Sequence, residues 1–200
     1  ESRPAHARLV VVAYNQSSVL VIFILFASFP FSPKAVPAPF RRRFPVLVRS
    51  PQLRARQTVA PLAELLGVPV EYREELREQN LGEACGKPVQ WVGEHAAPQR
   101  TVDDRILPGA ESIRDVWERL LLFSQELLER PEEHVVCVSH GVTLTIWNSL
   151  WLGMKPEDLE HCVLKGRAGG VSCFSLGEDG QRRIHFLADL SYCGGQRPTK

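Results

Sequence analysis

Two hundred residues, 44% hydrophobic and 24% charged, suffice for a single globular domain over residues 1–200 with an ample core. Lys and Arg number 24 against 23 Asp and Glu, and the resulting net charge of +1 excludes the basic signature of a nucleic-acid or anionic-membrane binder. The five cysteines, Cys85, Cys137, Cys162, Cys173 and Cys193, are odd in number and lack the close pairing of zinc or redox sites, so a reducing cytoplasm is the expected compartment.

Residues 1–8 read as a loose terminus, Leu9–Val12 as the first strand and Tyr14–Ser18 as a polar loop at its carboxyl end. The apolar run Val19–Ala27 is too short for a spanning helix, which needs about 20 such residues, and its setting is wrong for a signal peptide. Pro30, Pro33, Pro37, Pro39 and Pro45 then forbid a regular helix, and Arg41, Arg42 and Arg43 among them read as solvated surface. The region 1–45 is therefore atypical. If exposed, the apolar Val19–Phe31 segment marks a contact surface.

From Val46 the chain is orderly. Val46–Val48 reads as a buried strand, and the next helix has apolar Leu53, Val59, Leu62, Ala63 and Leu66 before Gly67 ends it. Val68–Tyr72 follows as a strand. Glu83–Arg105 reads as an irregular excursion of the kind that forms lids, with Trp91 anchoring it to the core ahead of flanking a ligand. Ser112–Arg130 has helical apolar spacing and stops at Pro131. Val135–Val138 reads as a strand buried on both faces, with Cys137 a small core residue, and Thr143–Leu152 as a buried helix. Val171–Leu176 and Arg182–Asp189 flank Asp179-Gly180, a hairpin signal, and Ser191–Lys200 reads as a loose tail. The alternation predicts an α/β fold: a mostly parallel central sheet with helices on both faces and an antiparallel hairpin near the C-terminus.

His140, in Ser139-His140-Gly141, falls at the carboxyl end of a buried parallel strand, where open α/β sheets bind ligands. Arg54 falls in the first turn of a helix, beside amides that favour an anion. Glu78 lies in the polar stretch Leu76–Gly82, placed to enter a cleft. Arg56 points away from Arg54, and Glu111 and Ser112 of Pro108-Gly109-Ala110-Glu111-Ser112 read as shaping a turn and a helix start.

The order arginine, glutamate, Pro-Gly-x-Glu-Ser, histidine resembles the histidine phosphatase superfamily, which includes phosphoglycerate mutases and broad-specificity phosphatases. The resemblance covers residues 46–192. It implies a phosphoglycerate mutase-like fold and a phosphatase-type activity on a small phosphate monoester, with no metal or other cofactor; longer insertions around the pocket would mark a true mutase. Arg54 and His140 would bind the phosphate, His140 would also stabilise transition-state charge, and Glu78 would be the proton donor. Members carry an Arg-His-Gly triplet after the first strand whose histidine is phosphorylated. Here Ala13, Tyr14 and Asn15 stand in its place. Tyr14 reads as a pocket-lining aromatic ahead of a replacement nucleophile, and His95 is the other stand-in to consider. The alternatives are a catalytically inactive pseudophosphatase that binds phosphate or a phosphorylated partner, and an interaction scaffold. Expected partners are thus a small phosphorylated substrate or phosphate, with no nucleic acid and no membrane, and a homodimer is left open.

Overall fold

The structure, a computed structural model, describes residues 18–25, 46–132, 134–167 and 169–190. In chain order the strands are β1 (Ser18–Leu25), β2 (Val46–Arg49), β3 (Val70–Tyr72), β4 (His134–Ser139), β5 (Val171–Gly177) and β6 (Arg182–Asp189). The described α-helices are α1 (Leu53–Leu66), α2 (Val89–His95), α3 (Ile113–Glu129) and α4 (Gly141–Trp151). The strands form one sheet in the order β3-β2-β4-β1-β5-β6. The first four of that order run parallel, β5 is antiparallel to β1, and β5 and β6 close the sheet as an antiparallel hairpin. This is the α/β architecture expected from the sequence.

Side chains along a strand alternate between faces, so a strand covered on both sides must be apolar throughout. β2 and β4 obey this. Val46, Val48, Val135 and Cys137 pack on one face against Val116 and Leu120 of α3 and Leu144 and Trp147 of α4. Leu47, Val136 and Val138 pack on the other against Ala55, Val59 and Leu62 of α1. Burial pushes the Cys137 thiol far above its ordinary range, as befits a core residue. Each fully buried large side chain, such as Trp147 or Phe123, contributes about 1.5–3 kcal/mol. Gly67 ends α1 as expected: at φ 65° its N–H bonds to the Ala63 carbonyl at 2.8 Å.

Leu9–Val12, read as the first strand, lies outside the described residues, as do Ala13, Tyr14 and Asn15. The described strand with that place in the topology is the apolar run itself, β1, hydrogen-bonded on both edges: Leu20 pairs with His134 of β4 and with Ser175 of β5. Ser18–Leu25 is thus an interior strand and not a free contact segment. The run Val19–Leu25 has strand composition, and its partners in the sheet lie far off in sequence. Among the described residues no helix is long and apolar enough to cross a membrane.

Candidate active site

β2 and β4 are neighbours and parallel, so their carboxyl ends bring Ser50 and His140 side by side. Arg49 pairs with Val138, and the Ser50 amide continues the ladder to the Val138 carbonyl at 2.9 Å. His140 keeps an extended backbone (φ −134°, ψ 171°) at the point where α4 begins. Both side chains are buried, Ser50 completely. His140 Nε2 lies 2.7 Å from Ser50 Oγ, and Arg54 Nε, in the first turn of α1, donates to His140 Nδ1 at 2.9 Å.

A guanidinium can only donate, so Nδ1 is an acceptor and the neutral ring carries its proton on Nε2, donated to Ser50 Oγ. Burial, then the positive charges of Arg54 and Arg119, lower the His140 pKa from 6.5 to about 4. The imidazole is therefore neutral at neutral pH. Arg54 spends one nitrogen on it, and its two Nη groups have no hydrogen-bond partner among the described residues.

Glu78 approaches from the other side. Its carboxylate accepts from the Gln79 amide at 3.1 Å and lies 3.3 Å from the Thr143 amide and 3.5 Å from that of Val142, both in the first turn of α4. An acidic group at a helix amino terminus meets unpaired N–H groups and the positive end of the dipole. Two buried hydroxyls fasten the preceding residues: Ser139 Oγ donates to the Leu76 carbonyl at 2.8 Å and Thr143 Oγ1 to that of Arg77 at 2.7 Å. Glu78 is in this way tethered within three residues of His140.

The segment holding Glu78 is clamped by Glu111. That carboxylate accepts from Arg77 Nη2 at 2.5 Å, from the Asn80 amide at 2.8 Å and from Arg119 Nε at 3.2 Å. Its backbone carbonyl accepts from Gln79 Nε2 at 2.9 Å, and its amide donates to the Asn80 carbonyl at 2.8 Å. Arg119 also bonds to the Glu75 carbonyl. Gly82 closes the turn at φ 60°, where a Cβ would meet the Pro108 carbonyl oxygen at 2.2 Å. Glu111 thus does more than shape a turn, whereas Ser112 does as expected: it caps α3 in a reciprocal capping box with Asp115.

The other singled-out residues lie apart from these contacts. Arg56 is exposed on α1. The Glu83–Arg105 excursion contains the helix α2, none of whose residues is buried. Its Trp91 is held by neighbours in the excursion, with Lys87 Nζ 5.2 Å from the ring and His95 stacked at 4.2 Å. His95 Nδ1 lies 2.8 Å from the Trp91 carbonyl oxygen. Sequence reasoning missed Ser50 and Arg119. Arg119 left a trace, because it interrupts the apolar stripe of Val116, Leu120 and Phe123, while a serine before a proline gave none. Among the described residues no group of three or more His, Cys, Asp and Glu could hold a metal ion.

The model of the histidine phosphatase superfamily (branch 1) matches residues 34–189. This chain belongs to the histidine phosphatase superfamily. Two curated relatives are similar to parts of this superfamily member. "Uncharacterized phosphatase PhoE" of Bacillus subtilis is 26% identical over 102 residues, 50% of this chain and 49% of the relative. "Putative phosphoserine phosphatase 2" of Hydrogenobacter thermophilus is 26% identical over 125 residues, 60% and 61% of the two chains. The matches thus span 49% and 61% of the two relatives, less than two thirds of either. Among solved structures, Bacillus stearothermophilus YhfR superposes with a TM-score of 0.66 at 16% identity, covering 86% of this chain and 98% of that one. A mycobacterial glucosyl-3-phosphoglycerate phosphatase in complex with inorganic phosphate superposes with a TM-score of 0.59 at 17% identity, covering 88% and 99%. At these identities the superpositions establish a shared fold, that of phosphoglycerate mutase-like phosphatases.

Proposed function

We propose that this chain is a phosphatase-type member of its superfamily whose pocket binds a small phosphate monoester and hydrolyses it. The observation that carries the reading is the Arg54 Nε–His140 Nδ1 contact just beyond the ends of two adjacent parallel strands, with both Arg54 Nη groups unspent among the described residues. A planar guanidinium fork suits bidentate binding of a phosphate, and the start of α1 adds amide groups of the same polarity. In this reading Arg54 and His140 hold the equatorial oxygens, His140 stabilises charge in the transition state, and Glu78 delivers the proton to the leaving oxygen. The domain is taken to be single over residues 1–200, and the cytoplasm is the proposed compartment.

One observation favours a second reading, a pseudophosphatase that holds phosphate or a phosphorylated partner without cleaving it. β1 ends at Leu25, level with Ser139, and the sequence from Phe26 onward contains no histidine until His95. The Arg-His-Gly triplet of the family occurs nowhere in the chain.

The deciding experiment is hydrolysis of a generic aryl phosphate by the purified chain with chelator present, alongside phosphate binding, each repeated with His140→Ala. Turnover that vanishes in the variant is the result expected for the phosphatase. Binding that weakens about tenfold or more without turnover in either protein selects the pseudophosphatase, because loss of one charge-assisted contact costs roughly 1.5–3 kcal/mol. Phosphate binding that His140→Ala leaves untouched, or no binding at all, removes both.

A further inference from the structure

Both ring nitrogens of His140 are engaged, Nε2 by Ser50 and Nδ1 by Arg54. The two contacts differ in kind. Ser50 is wholly buried at the end of β2, fixed by its own backbone bond to Val138 and by the Gln52 amide, which donates to its Oγ at 3.3 Å. Arg54 is an exposed side chain that can swing away. Nδ1 is therefore the nitrogen that faces the anion site, and Nε2 the nitrogen that faces the protein.

An anion oxygen arriving at Nδ1 needs a donor there, so that nitrogen, now an acceptor, must gain a proton. The ring then either becomes an imidazolium, still donating from Nε2, or stays neutral with Nε2 turned into an acceptor. A hydroxyl serves both cases by rotating its O–H. An amide or a carboxylate in that place would fit only one. Among the described residues Ser50 from the end of β2 and Arg54 from α1 contact the ring, Arg119 from α3 reaches it by its charge, and Glu78 sits against the first turn of α4 that follows it. Of these, Ser50 alone is both buried and able to donate or accept.

We propose that Ser50 is a positioning residue for anion binding: its hydroxyl holds Nε2 against the buried wall in either protonation state and so keeps Nδ1 turned toward the bound anion. The inference rests on the anion-binding reading of the pocket given above. It assigns Ser50 no contact with the substrate and no role as a nucleophile, since in the tautomer that the Arg54 contact requires His140 Nε2 has no lone pair to offer its hydroxyl.

The test is nitrogen-15 NMR of the histidine side chains in wild type, Ser50→Ala and Ser50→Thr, with and without inorganic phosphate, together with phosphate dissociation constants across the pH range. In wild type without phosphate, His140 is expected to carry a slowly exchanging proton on Nε2 and none on Nδ1; phosphate should protonate Nδ1. In Ser50→Ala the Nε2 proton should exchange rapidly, phosphate binding should weaken about tenfold, as expected for an orphaned buried polar group, and its pH profile should shift. Ser50→Thr, which keeps a hydroxyl, should recover most of both. Equally slow exchange and equal phosphate affinity in Ser50→Ala, with the fold intact by circular dichroism, overturns the proposal. If wild type shows the slow Nε2 proton, dependent on Ser50, but takes up no phosphate, the anion-binding reading fails while the hold of Ser50 on the ring stands.

Discussion

Ser50 and His140 stand at the ends of adjacent strands whose ladder fixes them, whereas Glu78 sits on an irregular segment with no ladder of its own. On the first side, position is inherited from backbone bonds shared with β2, β4 and the apolar layers beneath them. On the second, it rests on side-chain bonds: the Glu111 carboxylate gathers Arg77, Asn80 and Arg119, and the Ser139 and Thr143 hydroxyls hold the Leu76 and Arg77 carbonyls. The difference teaches that the two halves of one pocket can fail separately. The strand-end half should give way only with the sheet, while the loop half can loosen through a single substitution.

The largest expected effect is at the clamp. Glu111→Ala leaves the nearly buried Arg119 guanidinium without its partner and should destabilise the fold by about 3 kcal/mol in urea melts. A loss below about 1 kcal/mol would mean the Glu78 segment holds without it, and the contrast between the halves would be wrong. Next comes pH. The His140 value of about 4 in the fold lies below its ordinary 6.5, so the unfolded chain takes up a proton that the folded one refuses. Stability on this account is full above 6.5 and falls as pH drops toward 4. His140→Asn should flatten that part of the melting temperature–pH curve, and an unchanged slope would place the ring in a wetter setting.

Smaller again is Ser112→Ala, which removes the cap of α3 just beyond Glu111 and should cost about 1 kcal/mol in the same melts. It should also raise the Asp115 carboxyl. Against the upward push of burial, the Ser112 amide and hydroxyl and Arg105 now hold that carboxyl below its ordinary value. Smallest is Arg56→Ala, on the exposed face of α1, expected to change stability by less than about 0.5 kcal/mol and phosphate affinity not at all. A weakened affinity would extend the site along the helix.

In the strand-end half His140 and Arg54 were legible because their signals are local, while Ser50 was not. A β-branched run that stops at Ser139-His140-Gly141, and a helix that begins just before Arg54, state where a sheet ends and a pocket opens. In the loop half Glu78 was picked out of its polar stretch but its clamp was not, because Glu111 meets Arg77 across 34 positions and Arg119 across 8, and nothing within a short window reports such encounters. α2 escaped notice for a related reason: with Pro88 before it, Gly93 inside it and no buried residue, it has no apolar stripe to read. β1 was read as a contact segment and not as a strand, since its local composition says nothing of the distant β4 and β5 that pair with it.

The place of β1 in the sheet has a consequence for how the chain comes together. It precedes β2 in sequence yet lies on the far side of β4, and both its partners, β4 and β5, are made roughly 100 residues or more later. During synthesis, Val19-Leu20-Val21-Ile22-Phe23-Ile24-Leu25 therefore leaves the ribosome long before anything exists to receive it. An apolar strand without proline or charge, waiting with both edges open, is a template for pairing with the wrong chain. The step that completes the centre of this sheet is among the last available to it, and yield in the cell should depend on chaperone capacity and temperature more steeply than the folded protein's own stability suggests.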